Sequence, residues 1–356
     1  MKREHVLIIR VKGGPLIGMG HLYRTMAIAE AAAADSPMVV LFVHNDDVAV
    51  STVLSKMPFQ SCAVDDLSFA QDAVQHLLDR YAADKDAVCI IDSKEEMAGE
   101  IDVLQRSGIP VLLLDNHTRA RLQADANIYP VAHFDSRSLT WNGYTGEHLS
   151  GKEWVPISRR FLKARSTLKP FAERNSLLVT LGGADPNRIT LKVMEDLRGF
   201  NPDVPILVIL GPACSFQEAV HKKNELLGHR FTVIEQATNM EELMSEAGLA
   251  ITALGTSIYE LAYLGVPTII ISNYREDEPS ESELRRLGFA SPLGFHADLS
   301  EAVIGNAVEG FWNDIKIRAA MSRIALQTID GGGAERIVEK AVGMIAGTQQ
   351  TSSQAT

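Results

Sequence analysis

His5-Val6-Leu7-Ile8-Ile9-Arg10-Val11-Lys12-Gly13-Gly14-Pro15-Leu16-Ile17-Gly18-Met19-Gly20-His21-Leu22-Tyr23-Arg24 reads as a strand, a glycine-rich turn and the start of a helix. The apolar run to Val11 has the length of a strand, the glycines after it break the pattern, and Tyr23 to Ala34 resumes with helical spacing. Short apolar runs alternating with helical stretches are the mark of a parallel sheet covered by helices on both faces. The first half continues the rhythm with candidate strands Met38 to Val43, Ala87 to Asp92 and Val111 to Asp115. The second half repeats it with Leu177 to Leu181, Ile206 to Leu210, Phe231 to Ile234, Leu249 to Thr252 and Thr268 to Ile271. From about Pro130 to Pro170 the rhythm lapses and Gly, Ser, His and Trp accumulate, which places a domain junction there. The fold class is therefore α/β, with two Rossmann-like, doubly wound parallel-sheet domains over residues 1–150 and 151–350, facing across a cleft. Gly333 to Met344 reads as a C-terminal helix of the second domain, and Thr348 to Thr356 as a polar, frayed tail.

A chain of 356 residues exceeds what one core usually organises, and 46% apolar with 22% charged residues are globular proportions. No apolar run is long enough to span a bilayer, and the run behind Lys2-Arg3 stops at Arg10 without a cleavage site, so it reads as a first strand. Cys62, Cys89 and Cys214 are far apart, lack metal-ligand spacing and leave one over from any pairing, which fits a reducing cytoplasm. A net charge of −11 without a Lys/Arg block excludes the footprint of a nucleic-acid binder. An anionic ligand would have to be held by local amides and a few cations, and no metal or cofactor is called for.

In open α/β sheets ligands bind beyond the carboxyl ends of strands, where the first glycine-rich turn lies. Gly18 and Gly20 let backbone approach a ligand, and His21 stands at a helix N-terminus, where the macrodipole disfavours a positive ring and leaves a general base. A tight turn with a capping histidine explains the same residues. His21 directly after Gly20, with Arg24 one turn on, departs from Gly-x-Gly-x-x-Gly and argues against a nicotinamide enzyme.

After Leu249 to Thr252 comes Ala253-Leu254-Gly255-Thr256-Ser257-Ile258-Tyr259-Glu260-Leu261-Ala262-Tyr263-Leu264-Gly265-Val266-Pro267. Gly255, Thr256 and Ser257 offer amides and hydroxyls for a diphosphate without a metal, and Glu260 could accept from a ribose diol. Ser257-x-x-Glu260 is equally a capping box. In the third turn, Leu181-Gly182-Gly183-Ala184-Asp185-Pro186-Asn187, Asp185 is placed to cap and Pro186 to open a helix, while the glycines permit contact. All three turns end strands, where one cleft can collect them. Thr238, Tyr263 and Tyr274 read equally as packing, and His44, His117 and His296 as surface or satisfied core residues.

Ile17-Gly18-Met19-Gly20-His21-x-x-Arg24, Leu181 to Pro186, Asn239-Met240, Thr252 to Pro267, Gly151 to Phe161 and Asp330-Gly331-Gly332-Gly333-Ala334-Glu335-Arg336 together resemble the nucleotide-sugar hydrolases of pseudaminic acid biosynthesis and related spore-coat polysaccharide proteins. The resemblance covers nearly the whole chain. It implies the glycosyltransferase-B fold, similar to the N-acetylglucosaminyl transferase of peptidoglycan synthesis, and hydrolysis of a UDP-linked diacetamido-trideoxy sugar to UDP and free sugar. His21 would be the base, the uracil would lie near Asn239 and Met240, the ribose on Glu260, and the diphosphate at Gly255, Thr256 and Ser257. The sugar would face Gly18, Met19, Gly20, His21, Gly182, Gly183 and Asp185, with Lys12, Gly13, Gly14, Arg24 and Leu254 completing the substrate-binding set. Three departures concern the sugar: Lys12 replaces an acidic residue, Glu276-Asp277 an Asn-Gln pair, and Asp115-Asn116 an Asp-Asp pair. A glycosyltransferase using the same donor and a non-catalytic nucleotide-sugar binder are the competing expectations.

Overall fold

The computed structural model describes residues 5–15, 17–35, 38–64, 80 and 86–353. Residues 1–4, Leu16 of the first turn and residues 354–356 of the polar tail lie outside the described residues. Strands β1 (His5–Val11), β2 (Met38–Asn45), β3 (Gln60–Val64), β4 (Asp86–Asp92), β5 (Val111–Leu114), β6 (Ala126–Tyr129) and β7 (Glu147–Ser150) form a sheet in the order β3-β2-β1-β4-β5-β6-β7. Strands β8 (Ser176–Thr180), β9 (Ile206–Leu210), β10 (Thr232–Glu235), β11 (Ala247–Ala253), β12 (Thr268–Ser272) and β13 (Ala290–Phe295) form a second in the order β10-β9-β8-β11-β12-β13. Every ladder is parallel. In each sheet the order reverses beside its first strand, between β1 and β4 and between β8 and β11, which makes a switch point.

Strands covered on both faces read as unbroken apolar runs. Accordingly β5, β8, β11 and β12 are buried from end to end. Arg10 interrupts the run of β1 yet is fully buried, and its Nε and Nη2 donate to Glu100 at 3.1 and 3.3 Å. A buried charge needs such a partner, here supplied by the helix Ala98–Arg106.

The chain folds as two compact units, one of Met1–Gly14, His21–Arg159 and Gly332–Thr356, the other of Pro15–Gly20 and Arg160–Gly331. The sequence reading divides the chain after residue 150 and leaves the C-terminal helix in the second domain, whereas in the structure that helix packs on β4 of the first unit. The helix runs from Gly333 to Ser353, longer than its apolar pattern suggests. It buries Ile337, Val338, Ala341 and Ile345, and Lys340 Nζ pairs with Glu147 Oε1 at 2.6 Å.

Strands β3, β6, β7 and β13 go beyond the sequence reading. β3 (Gln60-Ser61-Cys62-Ala63-Val64) and β7 (Glu147-His148-Leu149-Ser150) are sheet edges with polar residues, and β13, also an edge, contains Pro292 and Gly294. β6 is internal but short, and Asn127 breaks its apolar run.

At Gly333 a Cβ would lie 2.2 Å from the carbonyl oxygen of Val155. Gly333→Ala is expected to destabilise the protein by about 2 kcal/mol or more. Gly343→Ala, exposed and with nothing near its Cβ, is expected to be neutral or stabilising by up to about 1 kcal/mol. Urea midpoints of the two variants check the contrast.

Candidate active site

In the first unit, the helix Gly20–Asp35 starts directly after the turn that follows β1, so His21 lies in its first turn. Gly18, with φ 86°, takes a left-handed conformation that a side chain would strain. Val11 at the end of β1 is in register with Asp92 at the end of β4, so the switch point brings Asp92 beside the helix start. His21 Nδ1 lies 2.6 Å from Asp92 Oδ1, with the carboxylate fully buried and the imidazole 14% exposed. Arg24, one turn after His21, donates from Nε to Asp92 Oδ2 at 2.8 Å and from Nη2 to Asp92 Oδ1 at 2.6 Å. Its Nη1 donates to Asp115 Oδ2 at 3.3 Å.

Burial alone would raise the carboxyls of Asp92 and Asp115, but Arg24 and the neighbouring imidazoles, His21 for the first and chiefly His117 for the second, hold both below the usual carboxylate range. Burial likewise opposes the charge of Arg24, and the two carboxylates override it and raise its pKa. With Asp92 ionised, a 2.6 Å approach of ring nitrogen to carboxylate requires a proton between them, so Nδ1–H donates. In the neutral ring Nε2 is then the acceptor, and it has no partner among the described residues. A carboxylate that fixes the tautomer and orientation of an imidazole, leaving the far nitrogen free, is the geometry of a general base.

The other residues expected in this turn have internal partners. Lys12 Nζ reaches Glu95 Oε2 at 2.5 Å, and Gly13 exchanges two bonds with the Asn45 amide at 3.0 and 2.9 Å. Gly14 has φ 135°, and a Cβ there would come 2.7 Å from Asp47. Arg24, expected to touch substrate, instead directs its donors to two carboxylates, because both lie at strand ends one helical turn away.

Asn116 replaces the second Asp of the expected pair for a physical reason. Its Nδ2 donates to the carbonyls of Ser93 and Glu95, both at 2.7 Å, and its Oδ1 accepts from Thr118 N and Oγ1 at 2.9 and 2.6 Å. An aspartate could not make the first two bonds.

In the second unit, Gly255, Thr256 and Ser257 join β11 to the helix Ser257–Tyr263, and their amides have no partner among the described residues. Gly255 is exposed with open space at its Cβ position, and Leu254 is partly buried. The capping box read from Ser257 and Glu260 does not form: Thr256 is the N-cap, so Glu260 falls one position too late for it. The Glu260 carboxylate accepts no hydrogen bond among the described residues. Burial lifts it to about 7, against the pull of Arg160 and helped by Glu241. Asn239, exposed, donates to Glu242 Oε2 at 2.8 Å, and Met240 starts the next helix.

Asp185 is a cap and a strained one, at φ 45°. Its oxygens accept from Ile189 N, Thr190 N and Thr190 Oγ1 at 2.9, 2.9 and 2.6 Å, and burial pushes its carboxyl up. The helix it caps begins at Ile189, three residues beyond Pro186. Gly182 is left-handed at φ 87° and open. Gly183 lies against Met19, which clusters with this unit: a Cβ at 183 would come 2.8 Å from Met19 Cβ. Gly20 likewise approaches Thr256, whose Oγ1 would be 3.4 Å from a Cβ. Among the described residues no three His, Cys, Asp or Glu side chains gather as a metal would need.

Residues 176–282 match the family model described as glycosyltransferase family 28 C-terminal domain. The chain is 24% identical to the spore coat polysaccharide biosynthesis protein SpsG of Bacillus subtilis over 345 residues, 91% of this chain and 94% of that one. It is 25% identical over 280 residues to an uncharacterized protein of Methanocaldococcus jannaschii, matching 74% of this chain but only 55% of that longer protein. Among solved structures, Anabaena HepE in complex with UDP and glucose superposes with a TM-score of 0.62 at 14% identity, covering 95% of this chain and 99% of that one. Each unit is thus a Rossmann-like parallel-sheet unit, and the fold is of the glycosyltransferase-B type. Among the described residues, no helix is long and apolar enough to cross a membrane.

Asp92, which the structure places against His21, has no role in the sequence reading, and Asp115 enters that reading only through the Asp115-Asn116 pair that concerns the sugar. A signal for Asp92 exists: an acidic residue closing the apolar run Val88-Cys89-Ile90-Ile91 sits where a Rossmann strand delivers side chains to a ligand. Asn116→Asp is expected to destabilise the protein by about 2–4 kcal/mol, since the buried carbonyl of Ser93 and the part-buried one of Glu95 lose their donor and face a carboxylate. Thermal or urea unfolding checks this.

Proposed function

We propose that this chain hydrolyses a UDP-linked sugar, of the diacetamido-trideoxy class, to UDP and free sugar in surface polysaccharide or nonulosonic acid biosynthesis. The observation that carries the reading is the His21–Asp92 pair, with Nδ1 committed and Nε2 free. In this reaction a water gives a proton to Nε2, its oxygen attacks the anomeric carbon, and the carbon–oxygen bond to the diphosphate breaks with its electrons leaving on UDP. Asp92 stabilises the imidazolium that forms, without taking its proton. The free amides of Gly255, Thr256 and Ser257 offer the departing diphosphate hydrogen bonds that strengthen as charge develops. Glu260, whose carboxylate has no hydrogen-bond partner among the described residues, accepts from the ribose hydroxyls, and Asn239 and Met240 flank the base. Two relatives support a UDP-linked sugar as the substrate: SpsG is a spore coat polysaccharide biosynthesis protein, and HepE was solved with UDP and glucose.

The match to a glycosyltransferase domain favours a second reading, transfer of the sugar to an acceptor hydroxyl by the same base. Incubating the protein with UDP, CMP and GDP sugars in oxygen-labelled water, with no acceptor, separates the two. The hydrolase reading expects labelled free sugar from a UDP donor, and donor that stays intact until an acceptor is added refutes it. His21→Asn is expected to lower turnover by about 10²–10⁴-fold while UDP affinity stays within a few-fold. Turnover of this variant at the native rate would remove His21 as the base.

Glu260 supplies a pH signature. Below about 7 its carboxyl is protonated and accepts hydroxyl donors poorly, while above that value the carboxylate accepts them fully. UDP affinity is therefore expected to rise as pH increases through 7 by more than in Glu260→Gln, which keeps the titration of the nucleotide itself. Calorimetric titrations of both proteins check the difference.

A further inference from the structure

Beyond Arg24, the charge chain that starts at His21 reaches a second imidazole. Asp115 receives Arg24 on Oδ2, while its Oδ1 lies 3.5 Å from Nε2 of His117. The segment carrying His117 is rigidly built. Asp115 is held in a left-handed conformation at φ 51°, a cost that a non-glycine residue bears only where its surroundings impose it. The Asn116 bonds to the carbonyls of Ser93 and Glu95 supply that constraint, and Tyr129 Oη adds a bond to the Asn116 carbonyl at 2.7 Å. The His117 ring is wedged edge-on against Tyr129 and Phe134, at centroid distances of 5.3 and 4.7 Å. Its side chain is 46% exposed, so one side meets solvent while Nε2 faces the buried carboxylate.

We propose that His117 is a positioning residue for His21, acting through Asp115, Arg24 and Asp92, so that the two imidazoles compete for the positive charge one buried chain can hold. The chain of two carboxylates and one guanidinium carries one net negative charge. Lys94 adds a positive charge beside Asp115, so protonating both imidazoles leaves an excess positive charge around the two buried carboxylates. A proton on His117 also draws Asp115 away from Arg24, loosening the guanidinium that orients Asp92. His117 must therefore be neutral when His21 takes up its proton.

Around His117 stand Asp115, Tyr129, Phe134 and Arg121, which donates to the His117 carbonyl at 3.2 Å. Around Asp115 stand Arg24, His21 and Lys94, and around His21 stand Asp92 and Arg24.

The mechanistic part rests on His21 being the base, but the coupling does not, and the test reads them apart. In the whole protein, nuclear magnetic resonance of the imidazole rings is followed against pH for the native chain, His117→Phe, which keeps the aromatic packing, and His117→Gln, which keeps polarity without a charge. In the native protein His21 is expected to titrate in two overlapping steps. In both variants it should titrate in one step, with its midpoint raised by about 0.3 pH unit or more. The acid limb of kcat, measured at saturating donor so that the binding role of Glu260 drops out, should become shallower in both while KM stays within about two-fold. Identical His21 titrations in the native protein and both variants would overturn the proposal. Failure of the hydrolase reading would show differently, as native turnover by His21→Asn while the His21 titration still differs between the native chain and the His117 variants.

Discussion

One guanidinium holds the first unit's site together. Arg24 is buried, so its charge must be met, and it is met by carboxylates at the ends of two different strands, Asp92 of β4 and Asp115 just beyond β5. Those contacts tie the first helix to the carboxyl edge of the sheet, keep both acids ionised where burial alone would protonate them, and turn Asp92 towards His21. Take away the guanidinium and two buried carboxylates repel across a gap, the orientation of the imidazole lapses, and the helix loses its anchor to the sheet. An Arg in the interior is weak evidence of stability, but here it explains why three elements separated in sequence agree on one geometry.

The second unit divides its polar groups differently. Asp185 has its hydrogen-bonding capacity met within its own turn and so serves shape. Among the described residues, Glu260 and the amides from Gly255 to Ser257 have no such partners, and they stand partly open to solvent. Buried or half-buried polar groups are rarely left so without a reason, and a ligand with both hydroxyls and anionic oxygens is a sufficient one.

How legible this was in the sequence depends on distance along the chain. The central strands announce themselves because burial on both faces forbids polar residues, whereas the edge strands β3, β7 and β13 carry Gln, Glu, Ser, Pro and Gly and look like loops. The turn ending in His21 is visible because its glycines and its helix are contiguous. Its partner Asp92 is 71 residues away, and no local pattern links them. Arg24 shows the opposite failure: its position relative to His21 is plain, but whether a cation one turn into a helix meets a ligand or a buried acid depends on what the neighbouring strands bring. Lys12, Gly13 and Gly14 were readable as a turn, and only the fold reveals that Glu95, Asn45 and Asp47 already occupy them.

The C-terminal helix returns to the first unit after the chain has built the second. During synthesis, then, residues 160–331 emerge with nearly everything their own unit needs, while the sheet that carries His21 waits with part of its apolar surface uncovered. Ile337, Val338 and Ala341 close that surface only when residues 332–345 leave the ribosome. The unit bearing the histidine is thus finished after the second unit, and a nascent chain halted short of residue 332 would hold a completed second unit beside an open, aggregation-exposed first one.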